Sequence, residues 1–127
     1  MRLARHREDV SQRFSEILAT CPKGVRMSDE YRASFKLKKN RVYPMHADEP
    51  APTVTTLPDD VLHFRDPRIL TVRECARLQS FPDWFVFKGK YTTGGDLRTK
   101  ECPRYTQVGN AVPPLLGYAI GVAMREV

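Results

Sequence analysis

Tyr105–Gly121 reads YTQVGNAVPPLLGYAIG, and it pairs a small polar turn with an apolar helix. Gly109 lets a backbone be approached closely, and Asn110 offers both a hydrogen-bond donor and an acceptor. Pro113 or Pro114 then sits in the first helical turn, where the missing N–H does no harm. Leu115, Leu116, Tyr118, Ala119, Ile120, Val122, Ala123 and Met124 make the following helix apolar on nearly every side. Such a helix needs cover on more than one face, and a chain of 127 residues has little to offer it. For Asn110 two roles are open at this point: a contact to a ligand, or a cap on the helix that follows.

Upstream, RILTVRECARLQSFPDWF at 68–85 carries a second well-punctuated helix. Thr71 and Glu74 have capping-box spacing, and the helix is predicted to run to about Ser80, burying Val72, Cys75 and Leu78. Pro82 ends it, with Phe81, Trp84 and Phe85 expected to pack just beyond. Arg73 and Arg77 are four residues apart and share a helical face. Between the two helices, KGKYTTGGDLRTKECPR reads as an irregular loop.

The first third is organised differently. In REDVSQRFSEILA, Val10, Phe14, Ile17 and Leu18 form one apolar stripe, with Asp9 as the expected N-cap and CPKG at 21–24 as the stop. SFKLKKNRVYPM alternates apolar and lysine positions and reads as one or two short strands around a turn at Lys39-Asn40. HADEPAPTVTTLPDD is proline-punctuated and extended, and VLHF is a further strand candidate. The hydroxyls of Thr53, Thr55 and Thr56 suit phosphate oxygens, and threonine is equally a good former of an edge strand.

The net charge of +6 comes entirely from residues 1–43, which hold eleven Lys or Arg against five Asp or Glu; the remainder holds ten of each. A basic lobe beside a neutral one fits a polyanion, nucleic acid first, and also fits a solvated surface. Cys21, Cys75 and Cys102 form no CxxC pair, so neither a disulfide framework nor a zinc site is expected, and the usage suits a reducing cytoplasm. No apolar run has the ~20 residues of a membrane span, and the basic N-terminus lacks the apolar core of a signal peptide. There are no internal repeats.

Three segments together resemble the DNA (cytosine-5) methyltransferases. RILTVRECARLQSFPD is similar to the family's ninth motif, QVGNAVPP to its tenth, and EPAPTVTT to the P-x-x-T-x-T stretch that closes its target-recognition region. Order and spacing agree over roughly residues 40–127. The family's F-x-G-x-G cofactor loop, Pro-Cys nucleophile, Glu-Asn-Val acid and Q-x-R-x-R block have no counterpart in this sequence. Cys21 and Cys102 read Cys-Pro, the reverse order, and Cys75 falls inside a helix.

The resemblance therefore implies an α+β chain, the C-terminal lobe of a Rossmann-like S-adenosylmethionine-dependent methyltransferase lacking the main parallel sheet. Residues 1–66 would be part of the target-recognition region, and 67–127 the two motifs returning to the catalytic domain. It implies a cofactor-pocket wall at Gly109, Asn110, Ala111 and Val112, with Ala111 in place of the commoner serine. It gives structural roles to Arg68, Glu74 and Arg77. Contact to double-stranded DNA falls to Lys36, Lys38, Lys39, Arg41, Thr53 and Thr55. The expected partner is a catalytic methyltransferase subunit carrying the cofactor fold and nucleophile, which would also cover the last helix. No catalytic residue is expected in this chain and no membrane association. Met1 before a basic helix is a plausible start for a separate subunit. A non-enzymatic DNA-binding remnant, and a truncated or excised fragment with no separate role, are the alternatives.

Overall fold

The computed structural model describes residues 3–93, 96–97 and 100–127. The expectations that fell on Met1, and on Gly94, Gly95, Arg98 and Thr99 of the glycine-bearing loop, lie outside these. The elements are α1 (Glu8–Thr20), α2 (Asp29–Ser34), β1 (Tyr43–Pro44), a 3-10 turn at Pro58–Asp60, β2 (Val61–Leu62), α3 (Val72–Leu78), α4 (Arg104–Asn110) and α5 (Pro114–Arg125). The described part is thus a small α+β arrangement with one two-stranded sheet. Two compact units divide it: the chain up to Thr53 with Pro58–Thr71, and Val54–Leu57 with Val72–Val127.

In the first unit, Ile17 is fully buried, while Val10, Phe14 and Leu18 are half-buried along the same stripe of α1. The N-cap is Arg7 rather than Asp9, so Asp9 lies in the first turn beside Glu8, where a carboxylate favours the helix dipole. α2 stands where the sequence showed no helix. Ser28 caps it by accepting from the Tyr31 N–H, Asp29 and Glu30 occupy its first turn, and Lys36 closes the segment at a φ of 52°.

The expected hairpin around Lys39-Asn40 does not form. Residues 37–42 are irregular, and β1 pairs in parallel with β2, Tyr43 opposite Val61 and Pro44 opposite Leu62. A parallel pair needs a long crossover, here the proline-rich stretch after Pro44, so no tight turn is involved. Pro44 lacks an amide donor, yet the ladder continues from the next residue, with Met45 N–H donating to Leu62 O at 3.1 Å. Leu62 also makes an antiparallel bridge to Ile69, and Val42, Met45, Val61, Leu62 and Ile69 are all buried.

The second unit packs α3 against α4. α3 opens at Val72, directly after Thr71, with Glu74 in its first turn, the positions a capping box requires. It ends at Leu78, and Ser80 adopts a φ of 62°. Val72 and Cys75 are buried as expected, but Leu78 is exposed and the fully buried position is Ala76. The spacing explains this: residues 72, 75, 76 and 79 share the face toward α4, and 78 lies off it. Burial and the neighbouring Glu74 carboxylate push the Cys75 thiol up to about 12, which keeps it protonated and inert.

Beyond α3, Phe81, Phe85 and Phe87 form an aromatic triangle with ring centres 4.9–5.0 Å apart. Trp84 was expected inside but is 78% exposed, because the turn at 83–84 faces outward. α4 replaces the expected polar turn: the chain is helical from Arg104 through Gly109 and Asn110. α5 begins with Pro114 at N1, and it has no buried residue.

His6 supplies a pH test of the first unit. Its Nε2 accepts from Ile69 N–H at 3.4 Å, and its ring meets Phe14 edge-on at 5.1 Å. Burial holds it below the ordinary imidazole value, against a smaller opposing pull from Asp59. The unfolded chain therefore binds this proton more readily, so the contribution is fully present above the ordinary value of 6.5 and is lost as pH falls through the lower folded value. Thermal melts should show the midpoint dropping over that interval, and His6→Gln should flatten that part of the profile. An unchanged slope in the variant would exclude His6 as its origin.

Candidate functional site

Hydrogen bonds tie Gln107, Val108 and Ala111 of the segment Gln107–Val112 into the second unit. Gln107 Nε2 donates to Lys88 O at 2.9 Å and to Cys102 O at 2.8 Å, fixing the two sides of the preceding loop. Arg104 donates through Nε to Gly89 O at 2.7 Å and lies over the Tyr91 ring at 4.4 Å. Val108 is fully buried. Gly109 follows, and its backbone runs directly against Val54–Leu57. A methyl group at Gly109 would stand 2.5 Å from the Thr55 carbonyl carbon and 2.7 Å from Thr56 N, and closer still to the Thr55 carbonyl oxygen. The glycine is required by the chain's own backbone. Helical geometry is ordinary here, and only the missing Cβ matters.

Asn110 is the last residue of α4, and the N-cap of α5 is Pro113. The capping alternative for Asn110 is thereby overturned: it stands three positions before the residue that caps α5. Its side chain is exposed and makes no hydrogen bond among the described residues. Val112 is 66% exposed and Ala111 half-buried. The exposed amide, with donor and acceptor capacity, and the exposed Val112 near it have chemistry that suits a zwitterion such as the methionine end of S-adenosylmethionine.

Two residues that the sequence motifs do not single out hold this segment in place. Gln79 Nε2 donates to Val108 O at 3.1 Å and to Ala111 O at 3.4 Å, satisfying carbonyls at the end of α4. Ser80 Oγ accepts from Leu115 N–H at 3.1 Å. Pro113 has no side-chain cap to give, so Ser80 caps α5 from a distant part of the sequence. The signal available was the Gln-Ser pair closing the α3 pattern, but nothing local indicated its target.

Arg73 and Arg77 grip the turn that follows α3. Arg73 donates to Pro82 O at 3.3 Å and to Phe85 O at 2.6 Å. Arg77 makes a bidentate pair with Asp83, both contacts at 2.8 Å, and the hydrogen-bonded guanidinium holds the Asp83 carboxyl below its usual range. Arg68 belongs to the first unit, paired with Asp66 at 3.1 Å and donating to Ile69 O at 3.2 Å.

The residues assigned to DNA divide by environment. Lys36 and Lys38 are exposed. Arg41 donates to Thr53 O at 3.1 Å, which brings these two together. Lys39 is held by two carboxylates, Asp59 at 2.5 Å and Asp60 at 2.9 Å, so its charge is compensated within the fold. The Thr55 hydroxyl donates to Leu57 O at 3.2 Å. Arg26 was not selected from sequence, although it stands in the same unit and donates to Asn40 O at 2.5 Å.

The family model of the C-5 cytosine-specific DNA methylases matches residues 2–126. The chain belongs to that family. Among its relatives, the type II methyltransferase M1.HphI of Haemophilus parahaemolyticus is 48% identical over 82 residues, covering 65% of this chain and 19% of the relative. The type II methyltransferase M.DdeI of Desulfomicrobium norvegicum is 42% identical over 87 residues, 68% of this chain and 20% of the relative. The chain thus spans about a fifth of the length of these relatives. M.AquIB of Picosynechococcus sp., also named a type II methyltransferase, is 42% identical over 81 residues, 62% of this chain and 58% of its own length. No solved structure gives a significant match. No helix among the described residues is long and apolar enough to cross a membrane.

The close approach at Gly109 leads to a direct test. Gly109→Ala drives a methyl into backbone rather than into a yielding side chain, and overpacking of this kind costs about 1–3 kcal/mol. Chemical denaturation should show a loss in that range. Ser80→Ala should instead leave global stability nearly unchanged while raising the exchange rate of the Leu115 amide, as expected for loss of a cap. A Gly109→Ala chain as stable as the parent would mean that the backbone contact is not made.

Proposed function

We propose that this chain is the C-terminal portion or small subunit of a DNA (cytosine-5-)-methyltransferase, working against a Rossmann-like catalytic lobe that carries the cofactor loop and nucleophile. That lobe belongs either to a second polypeptide or to another part of the same one. The observation that carries this reading is α5. Leu115, Leu116, Tyr118, Ile120 and Met124 are each 49–74% exposed, and each uncovered large aliphatic side chain forgoes roughly 1.5–3 kcal/mol of burial. A docked catalytic lobe would recover it. M.AquIB, a methyltransferase by name and similar to this chain in length, supports the separate-subunit form.

In the assembled enzyme the target cytosine leaves the duplex stack, and bound S-adenosylmethionine supplies the methyl group. This chain's share is positional. Asn110, with Gly109, Ala111 and Val112, lines one side of the cofactor pocket, and Gln79 and Ser80 hold that wall at a fixed distance from α5. Arg41, Lys36 and Lys38 neutralise DNA phosphates, and Thr53 and Thr55 share that role through their hydroxyls. Arg68, Glu74 and Arg77 serve the framework. Buried and protonated, Cys75 takes no part.

The purified chain incubated with labelled S-adenosylmethionine and mixed-sequence duplex DNA should transfer no methyl group, and adding a catalytic lobe of the family should restore transfer and give a soluble one-to-one complex. In that complex Asn110→Ala should weaken S-adenosylmethionine binding by about tenfold, equivalent to one hydrogen bond of ~1.4 kcal/mol. Transfer by the chain alone would overturn the proposal. DNA binding that persists with no catalytic lobe able to dock would favour the non-enzymatic binder.

A further inference from the structure

The first unit holds an open cleft of about 510 Å³ between the segments 40–43 and 50–53, lined by Arg26, Asn40, Arg41, Tyr43, the two prolines Pro50 and Pro52, Ala51 and Thr53. Three features restrict what it takes. Its lining has two guanidinium groups and no carboxylate, so the occupant is anionic. Each guanidinium is pinned at one Nη2 by a backbone carbonyl, Arg26 on Asn40 and Arg41 on Thr53, which sets its plane and leaves the rest of the fork for a ligand. Neither arginine makes a salt bridge among the described residues; the Asp29 carboxylate, whose charge Arg26 feels, is itself paired with Arg32.

Size decides the next point. A bare phosphate would leave most of this volume to water, whereas a nucleotide is of the scale such clefts hold. The remaining wall, made of Tyr43, Pro50, Ala51 and Pro52, is apolar and offers a sugar and a base a surface without hydrogen-bond demand. The Tyr43 hydroxyl is already engaged with Gly24 O, so that residue contributes its ring rather than its polar tip.

We propose that this cleft seats one nucleotide unit of the bound DNA, its phosphate bridged by Arg26 and Arg41 and its sugar and base against the Tyr43–proline wall. The assignment rests on the DNA-contacting role given above and adds Arg26, Asn40 and Tyr43 to it. The two arginines act as a fork of fixed geometry, so lysine is no substitute at either position. Their contact is distinct from that of Lys36 and Lys38, which are exposed cations suited to diffuse attraction.

The test uses the full chain and two probes. Thymidine 5′-monophosphate and inorganic phosphate are titrated separately while the backbone amide signals of residues 40–53 are followed by NMR. Duplex DNA binding is measured by fluorescence anisotropy over a range of salt. The nucleotide should give saturable shifts at least tenfold tighter than inorganic phosphate. Arg26→Lys with Arg41→Lys should remove that preference while keeping the salt slope of duplex binding, and Arg26→Gln with Arg41→Gln should lower the slope by about two units. Ala51→Trp, which fills the cleft and leaves both arginines, should abolish the nucleotide shifts and guards against a glutamine variant that fails to fold. Equal response to both probes, or nucleotide shifts that survive Ala51→Trp, would overturn the proposal while duplex binding by the parent chain stands. Nucleotide shifts in a parent chain that does not bind duplex DNA would support the cleft and sink the DNA-contacting role instead.

Discussion

The missing Cβ of Gly109 allows two backbones to touch, and much of the second unit follows from that contact. Because α4 runs directly against Thr55 and Thr56, the segment Val54–Leu57 belongs to the unit of α3–α5 rather than to that of its sequence neighbours. Val108 is fully buried one residue earlier, and Asn110 is exposed one residue later. A single helical turn thus presents an inward anchor, a contact plane and an outward amide in succession, an arrangement that fixes the amide without using it. In a close-packed interior no other residue supplies this geometry, since any side chain would need the opposite backbone to retreat.

The end of α4 is braced from α3. Gln79 satisfies the carbonyls that α4 leaves open, and Ser80, in a left-handed conformation, satisfies a donor at the start of α5. Two adjacent side chains therefore join the end of one helix to the start of the next, and the ninth and tenth motifs of the family meet through them. Arg73 and Arg77 perform a similar service one turn earlier, on carbonyls and a carboxylate of the segment 82–85. Because these bonds join segments far apart in sequence, losing one of them disturbs the placement of a helix rather than its existence.

Charge shows the same distinction between number and placement. All the net positive charge lies in the first 43 residues, but the structure does not make those cations equivalent. Lys39 is compensated by Asp59 and Asp60, and Arg32 by Asp29. Arg26 and Arg41 are held by carbonyls that orient without neutralising. A polyanion would meet the second kind as charge and the first kind as framework.

The sequence by itself determined the α1 stripe, the span of α3 between Thr71 and the Ser80 turn, Pro114 at the start of α5, and the excess of apolar surface on that last helix. These are local matters of periodicity, capping and φ restriction, and each is settled within a few residues. It also carried the family, through motif order. It did not determine the partners of the strands, the helices at 29–34 and 104–110, or the outward course of Trp84. Both missed helices are only six or seven residues long, too short for an apolar period to register, and they persist through a cap or through packing. Tertiary structure alone decided that Gly109 faces Thr55, that Asn110 ends a helix instead of starting one, and that Gln79 and Ser80 reach α4 and α5. Those outcomes depend on which distant backbone groups lack a partner, and that becomes defined only once the chain has folded.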